Sequence, residues 1–175
     1  MGHDTDWEHV MTETPTGRAA ELIETLGLTP HPEGGYFREI FRSRRMVRTD
    51  DGRSERWAAT TIYYLLAAGD FSRLHRVASD ELWHFYEGAP LELHMLNQQS
   101  SEHRALHLGP VGADSSPVRV VPAGAWQAAR SLGAYSLVGC TVAPGFEFSD
   151  FRLMSAEPST AKSTRENFPA LIPFL

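Results

Sequence analysis

The feature that most constrains this chain is a series of short apolar runs, which turn-forming residues separate at intervals of about ten positions. The runs cover residues 36–41, 58–66, 71–77, 82–86, 91–96, 118–121, 135–142 and 146–153. Turn pairs such as Gly109-Pro110 and Pro144-Gly145 lie between them. Short, evenly spaced strands are typical of β-sandwiches and barrels. The sequence therefore predicts an all-β fold, with a double-stranded β-helix, the jelly-roll barrel, as its favoured form.

A single short helix is predicted before the strands. Its apolar stripe consists of Ala19, Leu22, Ile23 and Leu26. Thr16 suits the N-cap position, and Gly27 suits the residue that ends a helix. Residues 1–15 lack such a pattern and are expected to form a mobile N-terminal tail. The remaining residues, 16–175, are hydrophobic enough to bury a core and are predicted to form one domain.

Composition argues against several classes of function. The formal net charge is −6, which is unfavourable for binding nucleic acid or an anionic membrane. No apolar stretch reaches the length of about 18 residues that a transmembrane helix needs, and the first residues are acidic and polar. We therefore expect a cytoplasmic protein. The only cysteine, Cys140, lies in an apolar run, which excludes an internal disulfide and indicates a core thiol.

One segment departs from this acidic balance. Between residues 38 and 56 the chain has seven arginines and only four acidic residues. Guanidinium groups suit phosphate, because their planar fork can donate two parallel hydrogen bonds. The segment is interpreted as a solvated face around a loop or, alternatively, as a rim that binds phosphate.

Two spaced motifs indicate where a site lies. The first consists of Gly69, His75, Val77, Glu81 and Gly88. It resembles the first signature of the cupin superfamily, in which a second histidine stands at the position of Val77. The second runs from Pro122 to Gln127 and resembles the second cupin signature, with Gln127 at the position of its last histidine. Together the two motifs favour the jelly-roll barrel of that superfamily.

The same resemblance bears on metal binding. In metal-binding cupins three histidines and one glutamate hold the ion, and their positions here are His75, Val77, Glu81 and Gln127. Valine offers no donor atom, and a neutral amide is a weak ligand for a divalent transition metal. No cofactor is therefore firmly predicted. A weakly bound divalent metal is the alternative, with His75, Glu81 and Gln127 as candidate ligands.

Without a metal, His75 becomes a candidate for proton transfer. Residues two apart in a strand share a face, so Arg73 and Val77 are expected beside His75, with Glu81 facing them from the next strand. A neighbouring carboxylate favours the charged imidazole. The arrangement resembles the metal-free sugar-nucleotide epimerases of the superfamily, in which a histidine abstracts a proton and a tyrosine acts as acid. The candidate acids are Tyr63, Tyr64 and Tyr135.

A closer resemblance covers nearly the whole chain from Leu22 onward. The strings that carry it are residues 26–39, 62–66, 72–88, 121–127 and 137–148. They are similar to the cupin_5 family, small single-domain cupins of unknown function. The resemblance implies a jelly roll with an enclosed pocket like that of the epimerases, and a homodimer. It implies no established reaction.

The predicted ligand-binding residues are Arg73, Gln127, Trp83, Phe85, Glu33 and Tyr64. Arg73 and Gln127 are expected to contact substrate oxygens, and Glu33 is expected at the pocket mouth. Trp83 and Phe85 are interpreted as pocket walls or, alternatively, as core aromatics.

The favoured function is binding of a small polar or carbohydrate-like molecule inside the barrel. If the protein is an enzyme, we expect a metal-independent epimerase or isomerase of a sugar or sugar nucleotide, with His75 as base and Glu81 as its orienting partner. Two alternatives stay open. One is a metal-dependent oxygenase or isomerase, and the other is a non-catalytic metabolite-binding module, because one barrel can host many chemistries.

Overall fold

The structure is a computed structural model that describes residues 15–97, 99 and 101–175. The predicted tail therefore lies outside the described residues, except for its last residue. One helix, α1 (Gly17–Leu26), precedes the long strands, and Gly27 ends it in the left-handed conformation at a φ of 61°. Thr16 occupies the N-cap position, as predicted, although its side chain makes no capping hydrogen bond.

The described part of the chain contains the strands β1 (Thr29–Pro30), β2 (Tyr36–Arg42), β3 (Met46–Val47), β4 (Arg56–Trp57), β5 (Thr60–Ala67), β6 (Phe71–Val77), β7 (Asp80–Gly88), β8 (Leu91–Asn97), β9 (Glu102–Leu108), β10 (Ser115–Ser116), β11 (Val118–Val121), β12 (Trp126–Ser131), β13 (Tyr135–Ala143) and β14 (Phe151–Leu153). Seven of the eight predicted runs are strands within two residues of their predicted ends. The run 146–153 differs, because it contains a 3-10 helix, Phe148–Asp150, before the short strand β14.

Two six-stranded sheets face each other. Their strand orders are β1-β2-β5-β13-β7-β11 and β10-β9-β8-β12-β6-β14. The chain passes from one sheet to the other between β5, β6, β7 and β8, and again between β11, β12, β13 and β14. This alternation places β13 between β5 and β7, which are close to each other in sequence but not paired. The arrangement confirms the predicted all-β jelly roll with a short N-terminal helix.

The main core lies between the sheets. It contains Tyr64, Leu66, Trp83 and Val138 from the first sheet and Leu91, Leu93 and Ala129 from the second. Because side chains alternate along a strand, the neighbours of these residues point to the outer faces. On the first sheet, Ala19 and Leu22 of α1 cover Leu65 and Leu137.

The chain's last segment covers the outer face of the second sheet. A second helix, α2 (Pro158–Asn167), leads into a 3-10 helix, Pro169–Phe174, that the sequence did not predict. Leu171 and Phe174 are buried there against Leu96 and Trp126. The last residues of the chain therefore dock on the barrel. Among the described residues, no helix has both the length and the apolar character needed to cross a bilayer.

Candidate functional site

A pocket lies between the sheets, bounded by β2, β5, β7 and β13 on one side and by β6 on the other. Its buried polar residues are Glu33, Thr60, His75 and Glu81, and the half-buried His31 lines it beside them. Its more apolar walls are formed by Phe37, Ile62, Val77, Cys140, Val142, Phe146, Phe148 and Phe151. Its empty volume, including the open mouth, is about 680 Å³. Apolar walls around a few convergent polar groups are typical of sites for small molecules.

A β-bulge in β6 decides which side chains reach this pocket. Gln127 of β12 pairs with His75, whereas Ala129, two residues later, pairs with Ser72, three residues back. The extra residue lets Ser72 and His75 point to the same side and leaves Arg73 exposed. The expectation that Arg73 shares a face with His75 is therefore wrong, because strict alternation fails at the bulge. Arg73 is absent from the pocket lining and instead donates a hydrogen bond to the carbonyl of Pro32.

The carboxylate that contacts His75 is Glu33. Nε2 of His75 lies 3.1 Å from Oε2 of Glu33, and both side chains are almost fully buried. The other ring nitrogen, Nδ1, lies 2.7 Å from the carbonyl oxygen of Arg73. Because a carbonyl can only accept, this contact assigns a proton to Nδ1 and directs Nε2 at the carboxylate. The predicted partner, Glu81, instead accepts a hydrogen bond from Gln127.

Glu33 is positioned by the loop 31–35. The hydroxyl of Ser72 donates to Oε1 of Glu33 at 3.0 Å. In the same loop, Gly34 adopts a φ of 112°, and a Cβ there would lie 2.0 Å from the carbonyl oxygen of Phe71. Only glycine fits such a backbone and such a close approach. The turn therefore places Glu33 at the buried base of the pocket, deeper than the predicted position at its mouth.

His31 lies beside the same carboxylate but is not its ionic partner. Its Nδ1 is 3.7 Å from Oε2 of Glu33 and accepts a hydrogen bond from the backbone N–H of Glu33 at 3.2 Å. A ring nitrogen that accepts carries no proton, so the neutral tautomer with its proton on Nε2 fits this geometry. Burial lowers the pKa of His31, and the nearby His75 adds to this effect while Glu33 opposes it.

Glu81 is the second buried carboxylate of the pocket. Burial raises its pKa to about 7, the charge of His75 opposes this, and the charge of Glu33 adds to it. Gln127 donates from Nε2 to Oε2 of Glu81 and accepts at Oε1 from the indole of Trp83 at 3.0 Å. Because an indole N–H only donates, this chain of contacts fixes the orientation of the amide. Gln127 therefore orients Glu81 and does not itself line the pocket.

At the mouth of the pocket, one arginine forms ion pairs with two glutamates. Arg42 on β2 donates to both carboxylate oxygens of Glu39, at 2.9 and 2.7 Å. It also donates to Oε1 of Glu147 at 2.8 Å. Glu147 begins the segment that contributes Phe148 and Phe151 to the pocket wall. The bridge therefore joins β2 to that segment across the opening.

Three further predicted site residues lie beside the pocket rather than in its lining. Trp83 is fully buried in the core between the sheets, Phe85 packs against that core, and Tyr64 donates to the carbonyl of Gly34 at 2.7 Å. Burial raises the pKa of Tyr64 well above its ordinary value, which makes it a poor proton donor. The core interpretation of Trp83 and Phe85 agrees with these positions. None of the three candidate tyrosines lines the pocket as the structure describes it.

Sequence reasoning missed several residues that do line the pocket. His31 could have been suspected, because it stands two residues before Glu33 in the same turn. No sequence signal marks Arg42, whose position at the mouth depends on how β2 pairs with β5. Phe146, Phe148 and Phe151 were predicted within one strand, and the 3-10 turn between them instead gathers their rings around the opening.

The donor set at the cupin metal position does not fit a tightly bound ion. Val77 presents an alkyl group to the pocket, and the amide oxygen of Gln127 is occupied by the indole of Trp83. His75 and Glu81 are then the only members of the expected set that offer strong donor atoms. Within the described ranges, no group of three histidine, cysteine or acidic side chains has an arrangement suited to a metal.

Comparisons with known proteins agree with this fold. A sequence model of the family Cupin_5, described as Cupin superfamily (DUF985), matches residues 20–154. A hypothetical protein from Leishmania major is 34% identical, with a TM-score of 0.73 over 82% of this chain and 94% of that chain. A protein of known crystal structure from Shewanella oneidensis is 33% identical, with a TM-score of 0.77 over 91% of this chain and 98% of that chain.

More distant similarity extends to an enzyme. Oxalate decarboxylase from Bacillus subtilis is 15% identical, with a TM-score of 0.56 over 80% of this chain and 34% of that chain. At such low identity the similarity shows the fold alone. None of the proteins with curated descriptions matches this chain. The family match and the two similar structures nevertheless agree with one another, and the chain belongs to the Cupin_5 family of the cupin superfamily.

Proposed function

We propose that the pocket binds a small organic carbonyl compound and isomerises or epimerises it by acid–base catalysis. The observation that carries the proposal is the buried contact of 3.1 Å between Nε2 of His75 and Oε2 of Glu33. Glu81, whose pKa of about 7 keeps much of it protonated near neutrality, lines the same pocket. Carboxyl groups in different environments can divide the roles of base and acid between them.

In the proposed reaction, the carboxylate of Glu33, which Nε2 of His75 holds at 3.1 Å, accepts a proton from the carbon next to the substrate carbonyl. The electrons of the broken C–H bond form the carbon–carbon double bond of an enol, and the carbonyl oxygen takes the proton of Glu81. If solvent delivers a proton to the opposite face of the same carbon, Glu33 releases its own proton to solvent, the enol hydroxyl returns its proton to Glu81, and the product is an epimer. If the substrate has a hydroxyl on the carbon that lost its proton, Glu33 can return that proton to the neighbouring carbon while this hydroxyl passes its proton to Glu81, and the product is an isomer. Each proton is restored at the end, so no oxidant or reductant is needed.

Both ring nitrogens of His75 are engaged, by the carbonyl of Arg73 and by Glu33, so His75 has no free atom for the role of base that was predicted for it. Glu33 takes that role, His75 takes the orienting role predicted for Glu81, and Glu81 becomes the proton donor. A metal-dependent enzyme is less favoured because Val77 has no donor atom and the amide oxygen of Gln127 already accepts from the indole of Trp83. A non-catalytic binding module would use the same pocket, and only a proton-transfer experiment separates it from an enzyme.

Solvent exchange tests the reaction without knowledge of the natural substrate. The full chain is incubated in D₂O with glyceraldehyde or dihydroxyacetone, and loss of the C–H signal next to the carbonyl is followed by proton NMR. We expect catalysed exchange with the natural sequence. His75→Asn should slow that exchange by a factor of about 100 or more, because the carboxylate of Glu33 loses the imidazole that positions it.

His84→Asn is the matched control. His84 lies in β7 like Glu81, pairs with Gly139 and is absent from the pocket lining, so its replacement should leave exchange unchanged. Full exchange with His75→Asn contradicts the role of His75. Saturable binding of either compound without any exchange favours the binding module.

The predicted homodimer is kept as a second proposal, and it concerns assembly. Tyr86 on β7 and Val118 and Val120 on the adjacent β11 are each more than 40% exposed, so they offer an apolar surface on the outer face of the first sheet. Sedimentation equilibrium should show a dimer for the natural sequence. The dimer of Val120→Lys should be weaker, because the substitution adds a charge to the apolar surface. A monomer in both cases contradicts the proposal.

A further inference from the structure

The pocket has very little free positive charge. Arg42 is the only arginine or lysine among the described residues that line it. Its Nε and Nη2 donate to Glu39, and its Nη1 donates to Glu147. One guanidinium therefore pairs with two carboxylates, and the bridge formed by Glu39, Arg42 and Glu147 has a net negative charge.

The base of the pocket adds no cation that could receive an anionic ligand. The proton-bearing edge of His75 already faces Glu33, and His31 is neutral in its observed hydrogen bonding. Glu81 is another carboxyl group on the same wall. A carboxylate or phosphate entering here would meet like charges, which cost free energy when they are brought close together in a buried site.

The arginine-rich segment predicted as a phosphate rim is also largely engaged. Arg53 and Arg56 both donate to Asp150, at 2.8 Å in each case. Arg38 donates to the carbonyl of Leu26 at 3.0 Å. Because these guanidinium groups hold parts of the protein together, they do not form a cradle for the diphosphate of a sugar nucleotide.

The walls instead suit an uncharged ring. Phe146 and Phe148 meet edge to face with centroids 5.1 Å apart, and Phe151 lies 6.2 and 6.4 Å from them in similar geometry. Phe37 contributes another aromatic surface to the lining. Aromatic faces stack on flat or ring-shaped ligands, and the polar groups at the base can hydrogen-bond a hydroxyl or carbonyl oxygen.

We propose that this pocket selects an uncharged, ring-bearing ligand and rejects anions, with the Glu39–Arg42–Glu147 bridge as the specificity determinant. This inference rests on the proposed function and narrows its substrate class to unphosphorylated compounds, away from sugar nucleotides. An anion could pair with Arg42 only by displacing one of the two glutamates from its hydrogen bonds.

Two probes of nearly equal shape test whether the pocket rejects anions. Benzyl alcohol and benzoate share a ring and differ in the charge of their oxygen-bearing group. The full chain is titrated with each, and binding is followed by saturation-transfer NMR. Benzyl alcohol should bind at least about tenfold more tightly than benzoate, a ratio that corresponds to about 1.4 kcal/mol.

The double variant Glu39→Gln, Glu147→Gln tests the bridge itself. Neutral amides leave the charge of Arg42 uncompensated, so the affinity for benzoate should rise about tenfold while that for benzyl alcohol changes little. Glu55→Gln is the matched control, because Glu55 pairs with the highly exposed Arg48 outside the pocket. It should change neither affinity.

Each contrary result overturns the inference. Benzoate binding as tightly as benzyl alcohol contradicts rejection of anions, and failure of both probes to bind contradicts selection of an uncharged ring. An unchanged affinity for benzoate in the double variant contradicts the role of the bridge. These titrations measure binding alone, so their failure is distinguishable from failure of the exchange experiment on His75, which measures proton transfer.

Discussion

At the scale of single residues, Glu81 links the chemistry of the pocket to the stability of the fold. Burial raises its pKa from 4.5 to about 7. Between these values the folded chain holds a proton that the unfolded chain has lost, so the free energy of unfolding should fall as pH rises through this window and level off above it. Gln at this position has no such proton and can still accept from Gln127. Glu81→Gln should therefore lack this fall, as measured by urea unfolding at a series of pH values.

The difference between the free energies of unfolding of the natural sequence and of Glu81→Gln, taken at each pH, isolates the contribution of Glu81. His31, whose pKa is lowered below its ordinary 6.5, acts in the opposite direction, because it destabilises the fold as pH falls through and below that value. It is present in both proteins, so its effect cancels in the comparison. A difference in stability that stays constant between pH 4.5 and 7 contradicts the assignment of a raised pKa to Glu81.

The residue scale also shows what a sequence motif can and cannot supply. His75 and Glu81 could be found because they stand at fixed spacing in one recognisable frame, and both line the pocket. The contact between His75 and Glu33 could not be found, because it depends on a loop far away in sequence and on the bulge in β6. Strict alternation gave a wrong position for Arg73 for the same reason.

At the scale of secondary structure, strands with strong apolar runs were predictable and weak ones were not. The strand β9 contains Glu102, His103, Arg104 and His107, and most of its side chains are exposed or half-buried. The strand β12 has alanines at its centre, which carry little strand signal despite being fully buried. Both strands form through pairing with β8, whose own apolar pattern is clear. Tertiary pairing therefore decides these elements.

The segment that bears the aromatic wall should depend on the ion pairs of Asp150. Its carboxylate is 5% exposed and accepts from Arg53 and Arg56. The hydrogen bond from Arg56 lowers the pKa of Asp150, burial opposes this, and Arg53 adds to the lowering. Asp150→Ala leaves the two guanidinium groups without this partner and should lower the free energy of unfolding by about 3 kcal/mol. Chemical denaturation measures the loss.

An exposed ion pair provides the control for Asp150. Arg48 and Glu55 are 90% and 55% exposed in their side chains. Glu55→Ala should change the free energy of unfolding by less than about 0.5 kcal/mol, since water screens such a pair. Equal effects of the two substitutions would show that the Asp150 cluster does not hold the segment.

At the scale of the whole molecule, the jelly roll separates two faces of the second sheet. The inner face carries His75 and Gln127, and the outer face carries Leu96 and Trp126 under the chain's last segment. The barrel was predictable from its runs and motifs. The helical cover was not predictable in the same way, because residues 158–167 have a weak apolar pattern.

Phe174 is the residue on which the cover should most depend. Its side chain is 1% exposed, packs with Leu171 and Met154, and lies 4.8 Å from the ring of His94 between centroids. Phe174→Ala removes a large buried ring and should lower the free energy of unfolding by about 3–5 kcal/mol. Ile172→Ala is the control within the same 3-10 helix, because Ile172 is 44% exposed, and it should cost less than about 1 kcal/mol.

Since Phe174 packs on the face opposite the pocket, the folded variant should still bind benzyl alcohol as the natural sequence does. Lost binding in a variant shown to be folded would mean that the two faces are energetically coupled through the second sheet.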